Sequence, residues 1–354
     1  MRVLVTGASG YVGSRLVPAL LGAGHEVRAA FSRPEKAEGY WWAPRVEVVG
    51  MDVTEPEQVR AAVEGVQAVY YLIHGMGGSD FRDKDRRSAQ TMARACSEAG
   101  VERIVYLSGV VPDVPESELS EHITSRLEVE RALTESGATV ITLRAAIVLG
   151  SGSTSFEIVR QISERMPVQT VPDWMDSRVQ PIAVTDVVVA LVGALDVDSG
   201  SRSYDVGGPE QLGYPQLLRT YAEVAGIGRP QLAVPGLPSE LVGVLAGLLA
   251  DVPAPTVEAL VESLHHDMVC QELDFVADLL PEDHDLVPVE EAIRRALAEP
   301  EPGTPPERVD PLATMPHDPQ WAGGSGGGLG SLVQGVSAVA AGVVERVRRF
   351  PDRE

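Results

Sequence analysis

Apolar residues along this chain follow two rhythms that alternate. Short continuous runs recur at "HEVRAAF" (25–31), "VVGMDV" (48–53), "AVYYLIH" (68–74), "RIVYLSG" (103–109) and "TVITLRAAIVLG" (139–150), the pattern of strands buried on both faces. Between them, "YVGSRLVPALL", "DRRSAQTMARACSEAG" and "SRLEVERALTESG" place apolar residues at a spacing near 3.6, which predicts helices. Strand and helix exchanging over about 150 residues predict an α/β fold, a Rossmann-type doubly wound parallel sheet with helices on both faces. In such sheets ligands sit beyond the carboxyl ends of the strands. That rule draws attention to His74 and Gly75, to Ser108 and Gly109, and to residues 145–150.

The first strand, residues 3–5, runs into "TGASGYVG", with glycines at positions 7, 10 and 13 and a helical pattern starting at once. Glycine permits a tight turn and lets backbone approach a pyrophosphate, which then rests on the unpaired N–H groups of the helix N-terminus. A glycine triplet alone is a weak signal; one set between a strand and a helix, with a second strand following, predicts a dinucleotide site. The GxxGxxG spacing resembles the short-chain dehydrogenase/reductase superfamily. The later stretches "YYLIHGMGGSDF", "RRSAQTMARACSEAGVERIVYLSG" and "LRAAIVLGSGSTSFEIVRQI" are similar to its atypical, NmrA-like NAD(P)H-binding group.

The resemblance implies roles residue by residue. Gly7, Ala8, Ser9, Gly10, Tyr11, Val12 and Gly13 would hold the pyrophosphate, Asp52 and Val53 would lie against the adenine, and Leu72, Ile73, His74 and Ala145 would border the nicotinamide side. The end of the second strand selects the cofactor, because an acid there bonds the ribose 2′-OH and repels a 2′-phosphate. Here Ser32 and Arg33 replace the acid, so NADP(H) is expected over NAD(H), against the plainer reading of Arg33 as a solvated loop residue.

The superfamily's catalytic Tyr and Lys, four residues apart on a helix, are missing. Spacing puts His122 and Arg126 in their places, and Ser108 matches the family serine. None of the eight tyrosines is followed four residues later by a lysine, and Lys36 and Lys84 are the only lysines in the chain. An imidazole of ordinary pKa, near 6.5, exchanges protons at neutral pH, so His122 is the candidate acid or base, with His74 second; for both, an ordinary structural histidine is the alternative. Three readings stay open: an NADPH-dependent oxidoreductase of a small carbonyl or quinone-like compound, a chemically silent dinucleotide-binding regulator, and a sugar-nucleotide epimerase or dehydratase.

Composition narrows the partners. A formal net charge of -22 argues against nucleic acid, whose binding needs clustered cations. The two cysteines, Cys96 and Cys270, offer neither a disulfide framework nor a metal set, and adjacent His265 and His266 point apart on any helix, so no metal is expected. A cytoplasmic setting follows from cysteine usage, from the absence of a leader pattern and from the lack of a spanning apolar run.

The domains expected are residues 1–150 with 180–208 returning to the sheet, and a smaller substrate lobe from 151–179 and 209–299, where the apolar residues 241–249 suggest a helix over the pocket. A Pro/Gly-rich linker over 300–330 and an amphipathic helix over 331–350 complete the chain. That helix carries arginines near its end and is a candidate peripheral membrane or protein contact, its alternative being to fold back on its own domain.

Overall fold

In the computed structural model, residues 1–75, 80–234, 250–252, 257 and 265–322 are described. The apolar stretch 241–249 and the helix expected over 331–350 lie outside them.

The seven-stranded sheet has the order β11-β6-β5-β4-β1-β2-β3, where β1 is Arg2–Val5, β2 Glu26–Phe31, β3 Glu47–Gly50, β4 Ala68–Tyr71, β5 Arg103–Gly109, β6 Thr139–Ala145 and β11 Arg202–Val206. Every neighbour pairs parallel. Parallel pairing demands crossovers, and the helices α1 (Tyr11–Gly22), α2 (Pro56–Val63), α3 (Phe81–Ala99), α4 (Glu121–Thr134) and α6 (Val184–Gly193) cover both faces. Strand order turns outward in both directions from β1, so the switch point lies between β1 and β4. The expected doubly wound fold is the observed one.

Alternation along each strand splits the core in two. Val3, Val5, Ala29 and Tyr70 pack with α1 and α6 on one face, while Leu4, Ala30, Val69 and Tyr71 pack with α2, α3 and α4 on the other. Burial of each such side chain contributes about 1.5–3 kcal/mol, which makes the sheet a stiff platform for the loops at its carboxyl edge. One helix boundary helps to shape that edge, and another closes the opposite one. Ser120 caps α4, its Oγ accepting from the Ile123 amide at 3.4 Å, which sets His122 in the first turn. α3 closes at Gly100, whose φ of 70° reaches a conformation other residues avoid.

Neither Asp52 nor Thr54 caps α2, whose N-cap is Glu55 without a side-chain bond. Asp52 instead accepts from the amide and hydroxyl of Thr54, at 2.9 and 2.7 Å, because the turn between them brings those donors closer than the helix.

Beyond β6 the chain adds short pairs, β7 (Val148–Leu149) with β10 (Ile182–Ala183), β9 (Arg178–Val179) with β12 (Leu212–Gly213), and β8 (Gln169–Pro172) with β13 (Gln231–Val234). Helices α5 (Thr154–Arg165), α7 (Tyr214–Val224), α8 (Phe275–Leu279) and α9 (Val289–Leu297) complete the described chain.

The stretch read as a linker is anchored where it is described. Leu312 is fully buried in the main core, and Arg295 pairs with Asp310 at 2.7 Å. Asp318 forms a salt bridge with Arg15 of α1 at 2.9 Å in which neither side chain exceeds 2% exposure. Arg15 also donates to the carbonyls of Pro311, Ser151 and Ala313. Proline and glycine content suggested flexibility; the apolar and acidic residues spaced among them supply the anchors.

Candidate active site

The cofactor loop is built by its glycines. Gly7 adopts φ +67°, and its carbonyl accepts from the Gly10 amide at 2.8 Å. A Cβ on Gly13 would stand 2.2 Å from that same carbonyl, and one on Gly7 would stand 3.1 Å from the Leu72 carbonyl. The turn, α1 and the end of β4 therefore close on one another only because these side chains are absent. α1 begins at Gly10 with no side-chain cap and no acid in its first turn, so its leading N–H groups face the loop as an anion site.

Neighbouring groups brace this cradle. Thr6 Oγ1 donates to the Tyr70 carbonyl at 2.9 Å and accepts from the Leu72 amide at 3.1 Å, tying the ends of β1 and β4. Tyr40 donates to the Ser9 carbonyl at 3.0 Å, and Trp42 to the Ser14 carbonyl at 3.1 Å. A pyrophosphate fits a space whose walls are glycine and free amide.

From this loop a cavity of about 540 Å³ runs between the strand ends and the helices α5 and α7. Gly7, Gly10, Tyr11, Val12, Gly13, Leu72, His74, Ser108, His122, Arg126 and Ala145 all line it. Residues expected from distant parts of the sequence are thus brought to one chamber. Arg126 Nε donates to His122 Nε2 at 3.2 Å, which fixes the imidazole as the tautomer protonated on Nδ1. Behind them Tyr106, itself buried, meets the side chains of Ser108 and Arg126. His74 is exposed, its surface opening where the cavity begins.

The electrostatics correct the expectation of ordinary histidines. Burial, reinforced by the Arg126 guanidinium, pulls His122 down to about 4. His74, although exposed, is drawn below its ordinary value by its protein surroundings, then by Arg126 and His122. Both rings are neutral at pH 7. The sequence placed a cation four residues after His122 but could not show that it would point at the ring.

Other expected residues do not line the chamber. Ser32 and Arg33 are exposed beyond β2, and among the described residues Arg33 has no ion-pair partner. Asp52 is held below the usual carboxylate range by the Thr54 hydrogen bonds. Val53 and Ile73 pack toward the second core, Ala8 is buried in the first, and Ser9 is exposed. His265, His266 and Asp267 border a separate polar recess, where Asp267 accepts from the Arg178 amide at 2.7 Å.

The other half of the chamber comes from the two stretches expected to form a substrate lobe, although the sequence singled out none of the lining residues within them. Thr154, Ser155, Ile158, Val159 and Ile162 of α5, followed by Met166, form one wall, and Tyr214, Leu217, Leu218, Met175 and Met268 form another. The spacing 154, 158, 162 with 155 and 159 was legible as a helix face, yet an apolar face reads as core until something shows that nothing packs on it. Asp85 was missed as well. On α3, it accepts from the Gly75 amide at 2.8 and 3.0 Å and from Ser125 Oγ at 3.5 Å.

A glycine cradle at the switch point, a serine at the end of β5 and a paired His and Arg on α4 define an NAD(P)H-binding protein of oxidoreductase-like fold. The chain belongs to the NAD(P)H-binding family, whose model matches residues 7–193. The resemblance to atypical short-chain dehydrogenase/reductases thus holds. Among curated proteins it is 35% identical over 118 residues to a 3 beta-hydroxysteroid dehydrogenase/Delta 5-->4-isomerase of Mycobacterium tuberculosis, a match that covers 30% of this chain and 31% of that protein. It is 27% identical over 260 residues to the sterol demethylase protein B of Methylococcus capsulatus, covering 66% of this chain and 78% of that one. Among solved structures, an NADPH-dependent quinone oxidoreductase of Escherichia coli in complex with NADPH superposes with a TM-score of 0.68 at 16% identity, over 84% of this chain and all of the other. No described helix is long and apolar enough to cross a membrane.

Proposed function

We propose that this protein is an NADPH-dependent oxidoreductase acting on a neutral, largely apolar carbonyl or quinone-like compound. The observation that carries the reading is the gradient within one cavity. Ser108, His122, Arg126 and His74 gather near the cofactor loop, while the far walls are Ile158, Ile162, Met166, Leu217, Leu218 and Met268. A sugar nucleotide would leave its hydroxyls and phosphates unpaired against such walls; an apolar body with one reacting oxygen would not. The likeness to sterol and quinone proteins supports the same class.

When bound, the nicotinamide supplies or receives the hydride; the remaining steps fall to side chains. Ser108 donates a hydrogen bond to the reacting oxygen at the end of β5. Neutral His122 accepts the proton of a substrate hydroxyl in the oxidative direction, and must first be protonated to donate in the reductive one. Arg126, whose Nε bonds His122, would offer its remaining N–H donors to the ribose hydroxyls. Arg33, exposed beyond β2 and without an ion-pair partner among the described residues, would meet the 2′-phosphate.

A silent nucleotide-binding regulator is the second reading, favoured by one observation: the family's Tyr and Lys, four residues apart, are absent from the sequence. Calorimetric titration with NADPH and NADH, followed by absorbance at the nicotinamide band against quinones and aldehydes, separates the two. The oxidoreductase reading expects oxidation of NADPH that falls at least ~100-fold in His122→Ala, within the range of general acid–base effects. Binding without oxidation supports the regulator. Arg33→Glu should weaken NADPH by ~10-fold or more and leave NADH unchanged; equal losses for both would remove Arg33 from the cofactor assignment.

A further inference from the structure

The site has two histidines on different elements, and their separation depends on something other than the sheet. His74 hangs beyond the carboxyl end of β4, past the last ladder pairing of that strand at Tyr71 with Tyr106. His122 sits in the first turn of α4, whose position is set by packing on α3 and β5. A group that holds both must bridge the end of β4 to α4.

Asp85 is placed to do so. Rising from the first turns of α3, its carboxylate takes the Gly75 amide on both oxygens, at 2.8 and 3.0 Å. Gly75 is the residue after His74, so this bond fixes the backbone from which the imidazole hangs. The same carboxylate accepts from Ser125 Oγ, at 3.5 Å, and Ser125 precedes Arg126 and follows His122 by three positions on α4. Ser125 is 2% exposed, so the bond lies in the helix interface rather than in solvent. Gly75 is also the residue this geometry needs, since a Cβ there would come within 3.0 Å of Asp85 Oδ1.

We infer that Asp85 is a positioning residue for the proposed reaction: by tying the Gly75 amide to Ser125 it sets His74 against the His122–Arg126 pair across the reacting oxygen. Charge adds to the fit, because the carboxylate lies in the field of Arg126 and helps hold that guanidinium at the chamber wall. The inference rests on the oxidoreductase reading for its kinetic consequence but not for its geometry.

The test uses full-length protein. Asp85→Ala removes both acceptors, while Asp85→Asn keeps one oxygen for the Gly75 amide. Misplacing a reacting group by about 1 Å can cost ~100-fold, so kcat should fall ~10–100-fold in Asp85→Ala and partly recover in Asp85→Asn. Nitrogen-15 spectra of the seven histidines give a readout that needs no turnover. The His74 and His122 ring signals should move in Asp85→Ala, while those of His284, bonded to Asp186, and His317 stay in place and report an intact fold. Unmoved His74 and His122 signals, or a kcat within twofold of wild type, would overturn the inference. If the wild-type protein oxidises no NADPH, the oxidoreductase reading fails on its own, and the histidine spectra still decide the placement.

Discussion

At the scale of the residue, the site turns on how a guanidinium and a low dielectric act on two imidazoles. His122 is 9% exposed and accepts a hydrogen bond from Arg126; protonating it costs both the bond and the burial. Its folded pKa, about 4, lies below the unfolded value of 6.5. The unfolded chain therefore binds the proton first, and the stability held above pH 6.5 is lost as pH falls from there through about 4. A urea midpoint measured from pH 7 to pH 4 should fall, and the slope should lessen in Arg126→Gln, where both rings recover toward their ordinary values. A midpoint equally steep in the variant would show that burial alone governs them. The identities of His122 and Arg126 were legible from their spacing before "LEVERAL", because a four-residue step stacks side chains on one helix face. Their pKa values were not, since these depend on how deeply α4 sinks beside β5.

Elements were legible wherever one period ran long enough. The strands and α1, α3 and α4 overlap the runs that periodicity picks out, although β3 and β4 stop at Gly50 and Tyr71 and the run 139–150 divides into β6 and β7; the glycine loop falls between β1 and α1 as its spacing requires. The loop is also where a single atom has most effect. Gly13→Ala should lower Tm and cut dinucleotide affinity ~10-fold or more, because the added carbon meets the Gly7 carbonyl at 2.2 Å, and relieving such overpacking costs roughly 1–3 kcal/mol. Affinity retained alongside a lowered Tm would mean that the loop supports the fold without touching the cofactor. Legibility fails at α5 and α7. Ile158, Ile162, Leu217 and Leu218 have the apolar spacing of core residues, and only the fold shows that one side of each helix borders open space.

For the whole molecule, composition misled at one place. The Pro- and Gly-rich stretch after position 300 reads as linker, yet up to residue 322 it straps α1 to the start of α5. The Ser151 amide donates to the Leu312 carbonyl at 2.8 Å, and the Ser151 hydroxyl meets that of Thr314 at 2.7 Å. Removing one partner of a buried ion pair leaves a charge without an answer and costs about 3–5 kcal/mol. Asp318→Ala should accordingly lower Tm by several degrees, and Arg15→Met combined with Asp318→Leu should restore part of it. Equal Tm in Asp318→Ala and wild type would show that the carbonyls around Arg15 suffice. The strap also imposes an order in time. Arg15 is separated from its carboxylate by 303 residues, and at ~5–20 residues per second a ribosome takes roughly 15–60 s to deliver it. Throughout that interval the nascent nucleotide-binding half carries a guanidinium without its counter-ion, so α1 gains this anchor long after the loop before it is made.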